Sequence, residues 1–221
     1  MAFGPIMRMT VDGLQIELAP LSKAAMEQFV QPGMQQHGVI KFLSQNANVV
    51  EDEEEWYEKV RKDPNGIVWG IWVVDGDERT VIGTTALHDI SRGHTKQATS
   101  GSMIFRKEYW GRGIASRIHM ARTWYAFQEM GLDRIMSAVI HGNIASRKAL
   151  EKSGYDLVYV ERNTSFSEGA LCHQDNLECL NPGELFWTRW WHGDQPTKRM
   201  TSARKQTQAA MQWASENVTL P

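Results

Sequence analysis

The order of strand-like and helix-like segments predicts a mixed α/β sheet in one domain of about 180 residues. Three observations carry this. An early strand pair is joined by a tight polar turn, strand–helix–strand units follow in the middle of the chain, and the composition shifts after Asn181-Pro182-Gly183. Hydrophobic residues make up 42% and charged residues 23% of the 221 residues. That balance suits a globular chain and rules out global disorder, a collagen-like repeat or a coiled-coil rod.

Residues 14–18, Leu-Gln-Ile-Glu-Leu, alternate apolar and polar and read as a first strand. Ser22 is placed to cap a helix carrying Met26, Phe29 and Val30, which Pro32-Gly33 interrupts. Residues 51–62 put acids first and bases last, as the helix dipole favours, and Asp63-Pro64-Asn65-Gly66 stops that helix. Residues 67–74 form a buried-strand run. Asp75-Gly76-Asp77 turns it, and residues 80–87 return as its hairpin partner. After a polar loop at 91–96, a strand is expected at 98–105. A helix over 113–130 then carries Ile114, Ile118, Ala121 and Tyr125 on one face, with Met120, Trp124 and Phe127 beside it. So wide an apolar stripe covers a sheet. Gly131 is its C-cap. A strand at 134–140, a short helix at 143–152 closed by Ser153-Gly154, and strands at 155–160 and 171–180 complete a domain at 1–180. The extension at 181–221 holds Phe186-Trp187-Thr188-Arg189-Trp190-Trp191, a break at 193–196 and a polar helix over 201–217.

The net charge of −2 lacks the basic footprint of a general nucleic-acid binder. No apolar run approaches the ~18 residues of a membrane span. The opening residues, Met1-Ala2-Phe3-Gly4-Pro5-Ile6-Met7-Arg8, lack a signal-peptide layout, so a reduced, cytoplasmic location is the expectation. Cys172 and Cys179 are too few for a disulfide framework or a four-ligand zinc site, and no metal is expected. An acyl-cysteine route needs a thiolate beside a base, and nothing places either cysteine near the glycine loop described next.

The stretch that carries chemistry runs Phe105-Arg106-Lys107-Glu108-Tyr109-Trp110-Gly111-Arg112-Gly113-Ile114-Ala115-Ser116. A strand ends, two glycines flank an arginine, and a helix begins. Glycine allows positive φ and close backbone approach. A helix start offers free N–H groups and partial positive charge, so together they suit a pyrophosphate. A dinucleotide-binding loop wants a third glycine where Ser116 stands, and a Walker loop wants Gly-Lys-Ser/Thr, which is absent. A second element follows about 30 residues later, Asn143-Ile144-Ala145-Ser146-Arg147-Lys148-Ala149-Leu150-Glu151-Lys152-Ser153-Gly154-Tyr155.

The pair, W-G-R-G-I-A and then N-x-x-S-x-x-x-L-E-K-x-G-Y, resembles the GNAT acyl-CoA N-acyltransferase superfamily. The surrounding text looks like its branch of ribosomal-protein N-terminal alanine acetyltransferases. Residues 81–87, Val-Ile-Gly-Thr-Thr-Ala-Leu, are similar to that branch's strand before the polar loop, and Gly169, His173 and Asp175 to its late glycine–histidine–aspartate strand. The resemblance spans about 14–180. It implies a mostly antiparallel sheet of six to seven strands in which the strands at 98–105 and 134–140 splay apart, with acetyl-CoA between them. The pantetheine arm would pair with the strand edge. Its pyrophosphate would sit on the amides of Gly111, Arg112, Gly113, Ile114 and Ala115, beside Phe105 and Trp110. Arg106 and Arg112 would neutralise phosphate, or else are solvated surface arginines. Asn143 would bond the pantetheine arm, and Asn is also an ordinary helix cap.

The implied chemistry is attack by an amine on a thioester. A lysine-type amine sits near 10.4 and an α-amine near 7.7–8.0, so the second needs less help in losing its proton. Many members of the superfamily place a tyrosine acid where Leu150 stands here, which excludes that acid. In the ribosomal-protein branch the acid is the serine that maps to Ser146, which could equally be a helix-face serine bonding back to the backbone. That branch's glutamate base maps near Ser165, between Glu161 and Glu168. Glu161 and His141 are the leading base candidates, ahead of His88 and Asp89, and a water chain is the alternative. The acidic run 51–55 is a solvated first turn or a lure for a cationic amine. The tryptophan cluster is core cover, a homodimer contact or an acceptor wall. A protein N-terminal amine is the leading acceptor. A small amine (aminoglycoside, polyamine or amino acid) is the second, and a non-catalytic acyl-CoA-binding module the third reading.

Overall fold

The computed structural model describes residues 3–43, 47–191 and 194–221. Met1 and Ala2 of the opening segment and Gly193 of the break lie outside them. Eight strands form one sheet in the order β1-β2-β3-β4-β5-β6-β8-β7. They are β1 (Met7–Val11), β2 (Leu14–Ala19), β3 (Ile67–Asp75), β4 (Glu78–Arg92), β5 (Lys96–Ile104), β6 (Arg134–Ile140), β7 (Asp156–Ser167) and β8 (Ala170–Leu180). All neighbours are antiparallel except β5 and β6, which are parallel.

Seven of these strands were legible in the sequence, and β1 is the eighth. Met7-Arg8-Met9-Thr10-Val11 alternates buried and exposed, and an Asp12-Gly13 turn returns it into β2. Asp-Gly is a strong hairpin signal. Where one helix was expected around Met26, the chain forms short turns: α1 (Met26–Gln28), a wider turn over Phe29–Met34 broken at Gln31, and α2 (His37–Ile40). Ser22 makes no side-chain cap. The longer helices are α3 (Val50–Lys62), α4 (Ile114–Trp124), α5 (Ile144–Glu151), α6 (Glu184–Trp191) and α7 (Lys198–Asn217). No described helix is long and apolar enough to cross a membrane.

Alternation along the central strands divides the core between the two faces of the sheet. Ile67, Trp69, Ile71 and Val73 pack with Ile114, Ile118, Ala121 and Phe127 of the α4 region and with Ala214 and Val218 near the chain end. Val68 and Trp72 point the other way, onto Met26, Phe29, Val81 and Phe105.

Candidate functional site

The sheet opens between β5 and β6. Their parallel pairing covers only Gln97↔Arg134 to Ser100↔Ser137. Beyond that point β5 stays with β4 as far as Gly83↔Ile104, and β6 stays with β8 as far as Ile140↔Gln174. Two intact sheet arms thus part and leave a V-shaped gap. Phe105 N–H donates to the Ile82 carbonyl at 2.9 Å, so the backbone groups of Phe105, Met103 and Gly101 face β4. Those of Ser100, Ser102 and Ile104 face the β6 side. Consistent with this, the Ser100 carbonyl accepts from Ser137 Oγ, and the Ile104 carbonyl accepts from Trp110 Nε1 at 2.8 Å.

The glycine loop closes one end of the gap. Phe105 is buried, and Gly111 and Gly113 both sit at φ +77°, which favours glycine. A Cβ on either would meet nothing within 4 Å, so their environment is open. Gly113 is the N-cap of α4 without a side-chain cap, and the first-turn amides of a helix have no intrahelical partner. An open run of amides at residues 111–115, with a helix start behind it, fits a pyrophosphate. Both nearby arginines already have protein partners. Arg106 Nε donates to the Val81 carbonyl at 3.0 Å, and Arg112 Nε donates to Asp12 Oδ2 at 2.6 Å. Asp12 lies in the β1–β2 turn.

The other arm ends in a charged cluster. His141 follows β6, and its Nδ1 lies 2.9 Å from Asp175 Oδ1. Arg147 of α5 donates to the second oxygen of Asp175 at 2.6 Å and to Glu151 at 2.8 Å. The Asp175 side chain is only 3% exposed. Burial pulls its carboxyl upward, and the hydrogen bonds from His141 and Arg147 outweigh that and hold it below its usual value. An ionised Asp175 fixes the proton of a neutral His141 on Nδ1 and leaves Nε2, on a half-exposed ring, as the free base. Asn143 caps α5: its Oδ1 accepts from the Ser146 N–H at 3.2 Å, which leaves its NH₂ group to donate elsewhere. Ser146 is half-buried on the first turn. Glu161 is exposed on the edge strand β7, opposite Gln174, which in turn faces Ile140. It is therefore two strand spacings, about 10 Å, from β6.

His141, Asn143 and Ser146 thus come together at one end of β6, while Glu161 stands apart. His88 is a half-buried ring packed over Gly101, and burial, the largest effect, moves its pKa downward. The β7–β8 tip crosses to the other arm, where Glu168 meets Lys41 at 3.1 Å and Ser167 Oγ donates to the Lys41 carbonyl. Cys179 is buried, and burial pushes its thiol up to about 12, so it supplies no thiolate. In the acidic run, Glu53 is buried against Asn48 at 2.7 Å, and burial raises its carboxyl.

The tryptophan cluster lies at the far end of the sheet. Trp187 is buried under Arg204, 4.7 Å from its ring centroid, and meets Trp191 edge-on at 5.1 Å. Trp190 stacks under Arg134 at the start of β6, and Arg189 pairs with Asp133. From Arg134 to Ile140 the strand rises about 20 Å. The cluster therefore packs against the start of β6, at the paired end of the gap and about 20 Å along the strand from the His141 end.

A family model described as acetyltransferase (GNAT) domain matches residues 15–156. An uncharacterised N-acetyltransferase of Bacillus subtilis, YoaA, is 31% identical over 56% of this chain and 67% of its own. Among solved structures, RimJ from Mycobacterium smegmatis in complex with CoA-disulfide superposes with a TM-score of 0.70. It covers 99% of this chain and 97% of its own at 14% identity. Spermidine N-acetyltransferase from Vibrio cholerae, in complex with CoA and spermine, gives 0.66 over 75% of this chain and 95% of its own at 18% identity.

Proposed function

The chain belongs to the acetyltransferase (GNAT) family, and we propose that it moves an acetyl group from acetyl-CoA to a primary amine by direct attack. The observation that carries this is the gap between β5 and β6 with the glycine cradle at its end. CoA in complex with the RimJ and spermidine acetyltransferase structures supports the choice of donor.

In this reading the amides at 111–115 seat the pyrophosphate, the NH₂ of Asn143 holds the pantetheine arm, and the gap edge of β5 aligns the thioester. His141 Nε2 takes the proton as the amine nitrogen bonds the carbonyl carbon. The carbon–sulfur bond then breaks, Ser146 Oγ gives its proton to the departing thiolate and regains one from the imidazolium of His141 through solvent, so that one proton passes in net from nitrogen to sulfur. Asp175 keeps His141 in the tautomer that can accept. Glu161, on the outer strand, is the lesser candidate for the base.

A protein N-terminal amine is the leading acceptor, in keeping with the ribosomal-protein branch of the motif. Its lower pKa also needs a weaker base. Spermidine is the specific small-amine alternative. Acetyl-CoA should raise the unfolding temperature, because a ligand bound only by the folded state adds about 2.7 kcal/mol at 100-fold excess over Kd. Gly113→Asp, which puts a carboxylate and a strained backbone in the cradle, should abolish the shift. An unchanged shift in that folded variant would overturn the cradle. Release of free CoA with unblocked peptides, and not with N-terminally blocked ones or spermidine, selects the acceptor. No release with any amine would leave an acyl-CoA-binding module.

A further inference from the structure

Arg122 of α4 is fully buried and pairs with no carboxylate among the described residues. A guanidinium keeps its proton in proteins, and a buried charge without a counter-charge is destabilising. Its donors go to neutral acceptors instead: Thr85 Oγ1 at 2.7 Å, the Gly101 carbonyl at 2.9 Å and His119 Nδ1 at 2.8 Å. The Tyr155 hydroxyl lies at 3.5 Å, and Arg122 Nε has no partner among the described residues. Burial first, and Arg122 second, hold His119 well below its usual range. That ring is neutral and accepts.

The position of this cation is specific. The Gly101 carbonyl and the Ser102 N–H belong to one trans peptide, and in such a unit the two point in opposite directions. The carbonyl points toward β4, where Arg122 reaches it from the α4 face. The N–H therefore points into the gap, as the first gap-facing amide beyond the last β5–β6 pair, Ser100↔Ser137. Hydrogen bonds in series polarise one another, and a charged donor strengthens the bond.

We propose that Arg122 is a positioning residue that polarises the Gly101–Ser102 peptide, so that the Ser102 N–H is the donor meeting the negative charge that develops on the thioester oxygen. The proposal rests on the acetyl-transfer reading. The oxygen's charge, absent at rest, supplies the counter-charge that Arg122 lacks, so the interaction is stronger in the transition state than before it.

The test compares Arg122→Gln, which is neutral but polar, with Arg122→Lys, which keeps the charge. In ligand-free protein, the Ser102 amide proton should shift upfield in the Gln variant and stay near wild type in the Lys variant. With acetyl-CoA labelled with carbon-13 at the carbonyl, the bound carbonyl stretch should move toward its value in water in the Gln variant only. The Gln variant should lose about ten-fold in kcat, less than the ~10²–10³ that follows loss of a whole donor, with the acetyl-CoA KM within about two-fold. An unchanged Ser102 amide and carbonyl stretch in a folded Gln variant that binds acetyl-CoA would overturn the proposal. Should that variant fail to fold, the Lys variant decides. Kinetics within about three-fold of wild type are expected, and a ten-fold loss with the charge in place counts against it. A wild type without an acetyl-CoA thermal shift removes the acetyl-transfer reading instead, and the ligand-free amide measurement still decides polarisation.

Discussion

Asp175 serves two partners, the Arg147 guanidinium and the ring of His141, and the two make different demands on it. With Arg147 it forms a nearly buried ion pair, which matters to folding. With His141 it fixes a tautomer, which matters to proton transfer. Asp175→Asn separates the two effects. An asparagine that turns its NH₂ toward His141 Nδ1 reverses the tautomer and puts the proton on Nε2. We expect kcat to fall by about 10²-fold, the low end of what general acid–base catalysis contributes, with the acetyl-CoA KM little changed. The stability effect has a definite sign. Asp175 is held below its ordinary value of 3.8, so its contribution is full above that value and is lost as pH falls through the lower, folded-state value. Below about pH 4 the wild type should therefore lose stability more steeply than Asp175→Asn, as denaturant titrations at stepped pH will show. Parallel acid limbs would mean that Asp175 is not ionised in the fold.

At the scale of elements, the motif that ends in Gly154-Tyr155 is pinned by the C-terminal helix. Gly154 sits at φ +89°, and a Cβ there would lie 2.0 Å from Thr207 Oγ1 and 2.6 Å from the Thr207 amide nitrogen. Gly131 also has positive φ, at +62°, but a Cβ there would meet nothing within 4 Å. Gly131→Ala should thus cost only the backbone strain, roughly 1–2 kcal/mol. Gly154→Ala adds the displacement of α7, so its denaturation midpoint should fall clearly below that of Gly131→Ala. Equal midpoints would show that α7 yields freely. The same elements show what the sequence could disclose. Period and turn chemistry located the α3, α4 and α5 regions and seven strands, because those signals are local. The Gly111-x-Gly113 cradle was legible for the same reason. The clamp on His141 was not, because it depends on the register Val139↔Asp175, which brings together residues 34 apart in the chain. The role of Arg122 is not legible either, because its acceptors Thr85 and Gly101 come from strands 37 and 21 residues away in the chain. A lone arginine on an apolar stripe is the signal that was available.

At the scale of the whole molecule, we expect the C-terminal extension to act on stability and not on the choice of acceptor. Ala214 and Val218 are buried in the same core as Ile118 and Ala121 of α4. Arg117 of α4 stacks on Trp213 at 4.4 Å, and Arg204 of α7 bonds the Pro182 carbonyl at 2.8 Å. The chain end pairs with β1, where the Arg8 N–H donates to the Thr219 carbonyl at 2.9 Å and the Thr219 N–H returns to the Arg8 carbonyl at 3.0 Å. Deleting residues 184–221 would uncover the outer side of α4, the Gly154 turn and the β1 edge together. Several buried side chains at roughly 1.5–3 kcal/mol each for the larger apolar ones, with about 2–4 °C of Tm per kcal/mol in a chain of this size, put the drop in Tm on the order of 10 °C or more. The cradle and the His141 cluster keep all their direct contacts, so acetyl-CoA affinity and amine preference should survive wherever the truncated protein is still folded, for example at low temperature. Calorimetry on the truncated chain, followed by kinetics below its transition, makes the comparison. An unchanged Tm with lost amine turnover would return the extension to the acceptor site.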